Sequence, residues 1–219
     1  MTTPNVPTRS RYSDDDSLTE WVMLHKREVT WGVVALAVIV LGIWYYERSQ
    51  TLRAQRAESQ YFQARQGAAS GNVLLAASDL QKVATRYEGT RGGAQAALAA
   101  AQLMYDQKKY KEGIATLEKA EPKAPEEFKA SMHVLEAGGY EELKDFVSAA
   151  AQYKAAATAT RFPADKAQYQ AAAARDYMAA GKSDEAKAIW TELAKDDTGP
   201  MAAEAKVRLG ELIAKPMTT

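Results

Sequence analysis

The sequence predicts an all-α protein: a single N-terminal transmembrane helix, then a degenerate α-solenoid of about four helical hairpins and a C-terminal capping helix. Three observations lead there. One uncharged apolar run, Val29 to Tyr46, stands in an otherwise mixed-charge chain. Alanine supplies about a fifth of the 219 residues, and it loses no side-chain entropy in a helix. A pattern of small and large residues also recurs every 36 or 37 positions.

The apolar run reads VTWGVVALAVIVLGIWYY, eighteen residues without a charge. As a helix it spans roughly 27 Å, the thickness of a bilayer's hydrocarbon layer. Trp31 marks one end and Trp44, Tyr45 and Tyr46 the other, where amphipathic rings suit the two interfaces. A cleaved signal peptide would end in small residues, whereas this run ends in Trp-Tyr-Tyr-Glu-Arg. A soluble core helix would keep a polar face, and here β-branched residues circle the segment. Gly32 and Gly42 are too far apart for a close small-xxx-small dimer seam. His25, Lys26 and Arg27 precede the run, while Glu47 and Arg48 follow it, diluted by Arg53 and Arg56. The expected orientation is an N-terminus in the cytoplasm and the large domain outside it, periplasmic in a bacterial inner membrane.

Residues 1–28 form a tail ahead of the span at 29–46, and 47–219 the soluble domain. Pro4, Pro7 and several Ser and Thr give the first residues little to bury. Asp14, Asp15, Asp16 and Ser17 then offer N-cap chemistry. Leu18, Trp21, Val22 and Leu24 follow at helical spacing, predicting a short amphipathic helix in the headgroup region. Trp21 joins the interface residues. Helical residues resume by Leu52, so no flexible linker separates span from domain.

The soluble domain carries the repeat. Four turn-plus-helix segments begin at Gly71, Lys108, Lys144 and Gly181. Each has a small residue in its first turn (Ala76, Gly113, Ala149, Ala186), at separations of 37, 36 and 37. A large residue lies four positions on: Leu80, Leu117, Tyr153 and Trp190. Each turn is preceded by a helix with its own small residue, Ala64, Ala101, Ala137 and Ala174. Small side chains let two antiparallel helices approach, and the large residue fills the groove between neighbouring hairpins. The last segment, Met201 to Ala214, is amphipathic and is expected to cap the final hairpin.

This spacing resembles tetratricopeptide repeats, whose period is about 34 residues. The second unit matches through Ala101, Tyr110, Gly113, Leu117, Ala120 and Pro125, the fourth through Ala174, Tyr177, Gly181, Ala186 and Trp190. The period is longer, the early Trp-x-x-Leu-Gly is missing, and Gly138-Gly139 is expected to interrupt the first helix of the third unit. The repeats are therefore degenerate. The layout of tail, aromatic-ended anchor and repeat domain, with the stretch Met178 to Trp190, resembles the bacterial YfgM-like membrane proteins. That resemblance implies an association with the protein-export translocase and periplasmic chaperones.

Chemistry-bearing patterns are few. With 28 basic and 28 acidic residues the chain has no net charge, so nothing favours nucleic acid. Without cysteine, thiolate metal sites, iron–sulfur clusters and a thiol nucleophile are excluded. His25 and His133 are far apart in sequence, and His133 reads as a helix-surface or partly packed residue. Thr90-Arg-Gly-Gly lacks the Lys-Ser/Thr of a phosphate loop and reads as a loop between hairpins. Glu126-Glu127 and Glu141-Glu142 are adjacent pairs, which diverge by about 100° on a helix. No catalytic, metal or cofactor site is expected.

The candidate binding surface is the groove lined by the first helix of each hairpin: Gln95, Leu98, Gln102 and Tyr105 in the second unit, Arg175 and Met178 in the fourth. Such flexible, amphipathic side chains suit a peptide or chaperone segment. The expected function is a non-catalytic interaction scaffold, an accessory subunit of a larger membrane complex. A structural subunit of a photosynthetic or respiratory assembly is the alternative, and a membrane-tethered enzyme the remote one.

Overall fold

The computed structural model describes residues 21, 23–69 and 71–214. The Asp14–Ser17 cap, Leu18 and Val22 lie outside the described residues. Among those described there are nine α-helices, one short 3-10 turn and no strand. They are α1 (Lys26–Ala69), α2 (Val73–Arg86), α3 (Arg91–Asp106), α4 (Tyr110–Ala120), α5 (Glu126–Glu142), α6 (Phe146–Ala159), α7 (Pro163–Ala179), α8 (Ser183–Leu193) and α9 (Ala202–Ile213). The chain divides into two compact units at Thr51 and Leu52, a point inside α1.

In the first unit, α1 presents an apolar stretch long enough to cross a membrane, and none of it is buried within the protein. Trp31, Trp44, Tyr45 and Tyr46 are all more than half exposed. A core helix would hide these surfaces, so burial inside this chain is not what the stretch is for. Trp21 stacks on His25, ring centroids 4.9 Å apart.

The second unit is the solenoid. The end of α1 with α2, then α3–α4, α5–α6 and α7–α8, form four hairpins: Tyr61 and Ala64 of α1 share an apolar cluster with Leu80 and Val83 of α2, each helix from α2 to α7 packs on the next, and α9 packs on α8. The small residues predicted at the contacts are buried in every unit, from Ala64 and Ala76 to Ala174 and Ala186. Leu80, Leu117 and Trp190 are at most 1% exposed, and Tyr153 is half-buried.

One turn is used four times. Gly71, Lys108, Lys144 and Gly181 all have positive φ, 61° to 91°. In each, the left-handed residue donates its N–H back three residues and the next residue donates back five: Lys108 to Tyr105 and Lys109 to Met104, Lys144 to Glu141 and Asp145 to Tyr140. This Schellman arrangement satisfies carbonyls that the ending helix leaves bare. The residue after it starts the next helix. Asn72 and Asp145 cap there, accepting from the N–H groups of Leu75 and Ser148, while Lys109 and Lys182 make no such bond.

Two local expectations need correction. Gly138-Gly139 does not interrupt its helix, for α5 runs through both. Gly139 is there because a methyl group at that position would overlap the Tyr105 hydroxyl and the Ile114 side chain. Thr90-Arg-Gly-Gly is not a loop either: Thr90 caps α3, accepting from Gly93 N–H at 3.1 Å, and the other three residues are its first turn. A Cβ on Gly92 would meet the backbone of Ala57 and Glu58 in α1. Glycine lets the two helices cross at backbone contact.

The solenoid core is in two parts. The first joins α1 to α5 around Leu80, Ala97, Leu117 and Met132, and the second joins α7 to α9 around Trp190.

Candidate functional site: a groove across three first helices

The residues 95, 98, 99, 102 and 103 of α3 fall on one helix face. They form one wall of a groove of about 500 Å³. Tyr61, Arg65 and Ala68, one turn apart along α1, form the opposite wall; Leu135 of α5 closes one end and Leu80 of α2 forms part of the floor. Three of the residues named from sequence, Gln95, Leu98 and Gln102, therefore come together.

The polar groups of this groove are sparse and available. The Gln95 amide is half-buried and makes no hydrogen bond among the described residues. Gln102 is exposed and its amide donates to Asp106 at 3.4 Å. Arg65 is exposed, and among the described residues it forms no ion pair and donates only to the Tyr61 hydroxyl at 3.3 Å. Among the described residues no carboxylate lines the groove. An apolar floor edged by a few orienting polar groups is the usual make-up of a binding cleft.

The other three named residues go elsewhere. Tyr105 turns between α4 and α5, its ring against Gly113 and its hydroxyl against Gly139, where larger residues would collide. That hydroxyl is buried without a partner among the described residues, and burial raises its pKa. Met178 stands at the equivalent position of the fourth unit and also turns inward, its sulfur accepting from Trp190 Nε1 at 3.4 Å. Arg175 donates to both carboxylate oxygens of Glu204 in α9, at 2.8 and 3.0 Å. The capping helix thus covers the fourth unit's share of the groove face.

Glu136 and Asp176, which the sequence did not single out, sit between the two apolar clusters with His133, Glu141 and Tyr153, which it did. Glu136 is 2% exposed. Its Oε2 lies 3.3 Å from His133 Nδ1, which is 2.9 Å from Gln152 Oε1, and the Glu136 hydrogen bond raises the histidine's pKa. Asp176, 5% exposed, faces Glu141. Burial, then the neighbouring Glu141 charge, raises Asp176 to about 7, with Arg175 opposing. Tyr153 shares this cluster and is pushed up to about 12, mainly by burial and then by Glu141. The two adjacent glutamates do diverge, Glu142 bonding toward Tyr110. Among the described residues no three acidic or histidine side chains are grouped to hold a metal.

A larger cleft, about 840 Å³, opens between α2 and α4 on the second-helix side. Lys82, Arg86 and Lys119 share its lining with Glu88 and Glu112, so its charge selects no ligand.

Comparison with known proteins agrees with this architecture. The tetratricopeptide repeat-like domain family matches residues 20–135, just over half of the chain. The chain belongs to that family. The match takes in the apolar stretch and the first two hairpins, so the last two are seen as repeats from their geometry. Crystallised TPR-like repeats from a Podosopora anserina protein named for kinesin light chain superpose with a TM-score of 0.53 at 17% identity. They cover 72% of this chain and 85% of that one. A thermophilic TPR protein of Thermus thermophilus aligns at 22% identity over 81% of this chain and 95% of its own, with a TM-score of 0.44. No curated protein matches the sequence significantly.

Proposed function

We propose that the protein is a non-catalytic interaction scaffold anchored in a bacterial inner membrane. Residues 29–46 cross the bilayer, 1–28 face the cytoplasm and 47–219 lie in the periplasm. The protein serves a larger membrane complex as an accessory subunit, as its resemblance to YfgM-like proteins implies. The observation that carries the scaffold reading is the groove over α1, α3 and α5: it is open, apolar-floored, and edged by the unbonded Gln95 amide and the Arg65 guanidinium. The exposed apolar stretch of α1 supports the anchor, since about 18 bare apolar residues are costly in water and favourable in lipid.

Photo-crosslinking in cells tests both parts. A benzoyl-phenylalanine at Gln102, in the groove, is expected to give discrete adducts in the alkali-resistant membrane fraction. The same probe at the exposed Lys187 of α8 should give none. Equal labelling from both positions would overturn the groove, and recovery in the soluble fraction would overturn the anchor.

A further inference from the structure

His133 sits where three elements meet. Its Nε2 lies 3.8 Å from Glu121 Oε1, in the 3-10 turn Glu121–Lys123 that joins α4 to α5. Its Nδ1 lies 3.3 Å from Glu136 Oε2 on its own helix and 2.9 Å from Gln152 Oε1 on α6. Both ring nitrogens therefore face oxygen. A neutral imidazole has one N–H and one lone pair, so only the imidazolium donates on both sides. Rotating the Gln152 amide offers an N–H to a bare Nδ1, but the carboxylates of Glu121 and Glu136 remain acceptors.

The surroundings supply no substitute for that charge. Glu136 is 2% exposed, and among the described residues no other cation pairs with it. Lys129, one turn before His133, pairs with Glu126 and shares the field of Glu121. Tyr105 of α3 faces Glu136 as a neutral phenol, its ionisation opposed by burial and then by Glu136 itself. Tyr140 donates to Glu118 of α4 at 3.0 Å, and Lys154, the one charged residue of α6, is exposed. A buried carboxylate that loses its counter-charge is strongly destabilising.

We propose that His133 is a proton-operated tie: as an imidazolium it binds the α4–α5 turn and α6 to Glu136, and on losing its proton it lets the α5–α6 contact open. The Glu136 hydrogen bond, opposed by burial and helped by the Glu136 charge, the Gln152 bond and the Glu121 charge, raises its pKa above the ordinary 6.5. The closed contact thus keeps a proton that the opened form releases near 6.5. The tie is at full strength below 6.5 and is lost as pH rises through the folded value. Leu135, next to Glu136, closes one end of the groove, so the opened form is also the one in which that end is released. The tie does not depend on what the groove binds.

Histidine NMR and hydrogen exchange on the full-length protein in detergent micelles test this together. Asp176→Asn is the background for both, because Asp176 titrates in the same seam. The chain has two histidines, so loss of one set of signals in His25→Gln assigns the other. At pH 6 both His133 nitrogens are expected at imidazolium shifts, and the ring should titrate above 6.5. Exchange protection of the α5 and α6 amides, corrected for the intrinsic rate, should fall by up to about tenfold per pH unit between 6.5 and that titration point. His133→Gln should flatten this pH profile. Glu121→Gln, a partly exposed change that leaves the buried pair intact, should lower the titration point and carry the exchange profile down with it. Neutral-imidazole shifts at pH 6, or a titration at or below 6.5, would sink the proposal. So would α5–α6 protection that keeps the parent's pH profile in His133→Gln or Glu121→Gln.

Discussion

The first two hairpins and the last two share one alanine framework, yet they are finished differently. In the first pair the contacts are hydrocarbon: Ala96, Ala97, Ala100 and Ala101 are fully buried on α3, with Leu80 and Leu117 beside them. In the second pair the helices close over carboxylates. Glu136 and Asp176 are nearly inaccessible, and Glu136 Oε1 and Asp176 Oδ2 have no partner among the described residues. The groove face differs too. It is open over α1, α3 and α5 and covered by α9 at the fourth unit. Dry packing makes a rigid wall for binding, whereas buried acids between the two apolar clusters make a seam whose stability depends on protonation. In a solenoid, where each hairpin leans only on its neighbours, such a seam separates two cooperative regions.

The sharpest way to break the comparison is to empty the second cluster. Trp190 is its largest side chain, fully buried among Ala174, Ala186 and Ala205. Trp190→Ala should cost about 3–5 kcal/mol, since flanking alanines cannot collapse into the space. Hydrogen exchange should then show protection lost across α7–α9 but retained on α3. Uniform loss along the solenoid would mean that the seam does not divide it.

A smaller effect sharpens the role of the acids. Asp176 titrates in the folded chain at about 7, above its ordinary 3.8. Between those values the folded chain holds a proton that the unfolded chain has released. The group's stabilising contribution is therefore full below 3.8 and is lost as pH rises through 7. Asp176→Asn, always neutral, should exceed the parent in stability at pH 8 by roughly 2 kcal/mol, about half the full conversion because Glu141 is only half-buried. The advantage should vanish near pH 4. Denaturant unfolding at both pH values measures it, and parallel pH profiles for the two proteins would remove Asp176 as the cause.

The comparison also explains what could be read in the sequence. The period fixed all four hairpin turns, including two where no glycine marks the left-handed residue, because the small residues at Ala76, Gly113, Ala149 and Ala186 keep their distance from the turn. Helical spacing placed Gln95, Leu98 and Gln102 on one face. What helical spacing cannot supply is the neighbour that crosses that face. Tyr105 and Met178 share a repeat position, and both turn inward, Tyr105 against Gly113 and Gly139 and Met178 against Trp190 of α8. Tyr61 and Arg65 were missed as groove residues because they sit on the continuation of the helix that carries the apolar stretch. Glu136 and Asp176 look like ordinary helix-surface acids until the packing of α5, α6 and α7 is known.

The smallest effect bears on the turns the two halves share. Lys108 ends the first helix of unit two and Lys144 that of unit three, both left-handed at φ near 60°, where Gly71 and Gly181 serve units one and four. A side chain in that conformation brings its Cβ close to the carbonyl oxygen, a strain glycine avoids. Lys108→Gly and Lys144→Gly should each raise stability by about 0.5–1 kcal/mol, the relief of strain offset in part by the freer unfolded chain. Neither lysine side chain forms an ion pair among the described residues; Lys144 Nζ lies 6.0 Å from the Phe146 ring centroid, so Lys144→Gly also gives up a weak cation–π contact. The two gains should add, because the sites lie in different hairpins. If only Lys144→Gly helps, the explanation lies in the seam it borders; if both help equally, the turn is an independent part and the difference between the two halves resides wholly in what their helices bury.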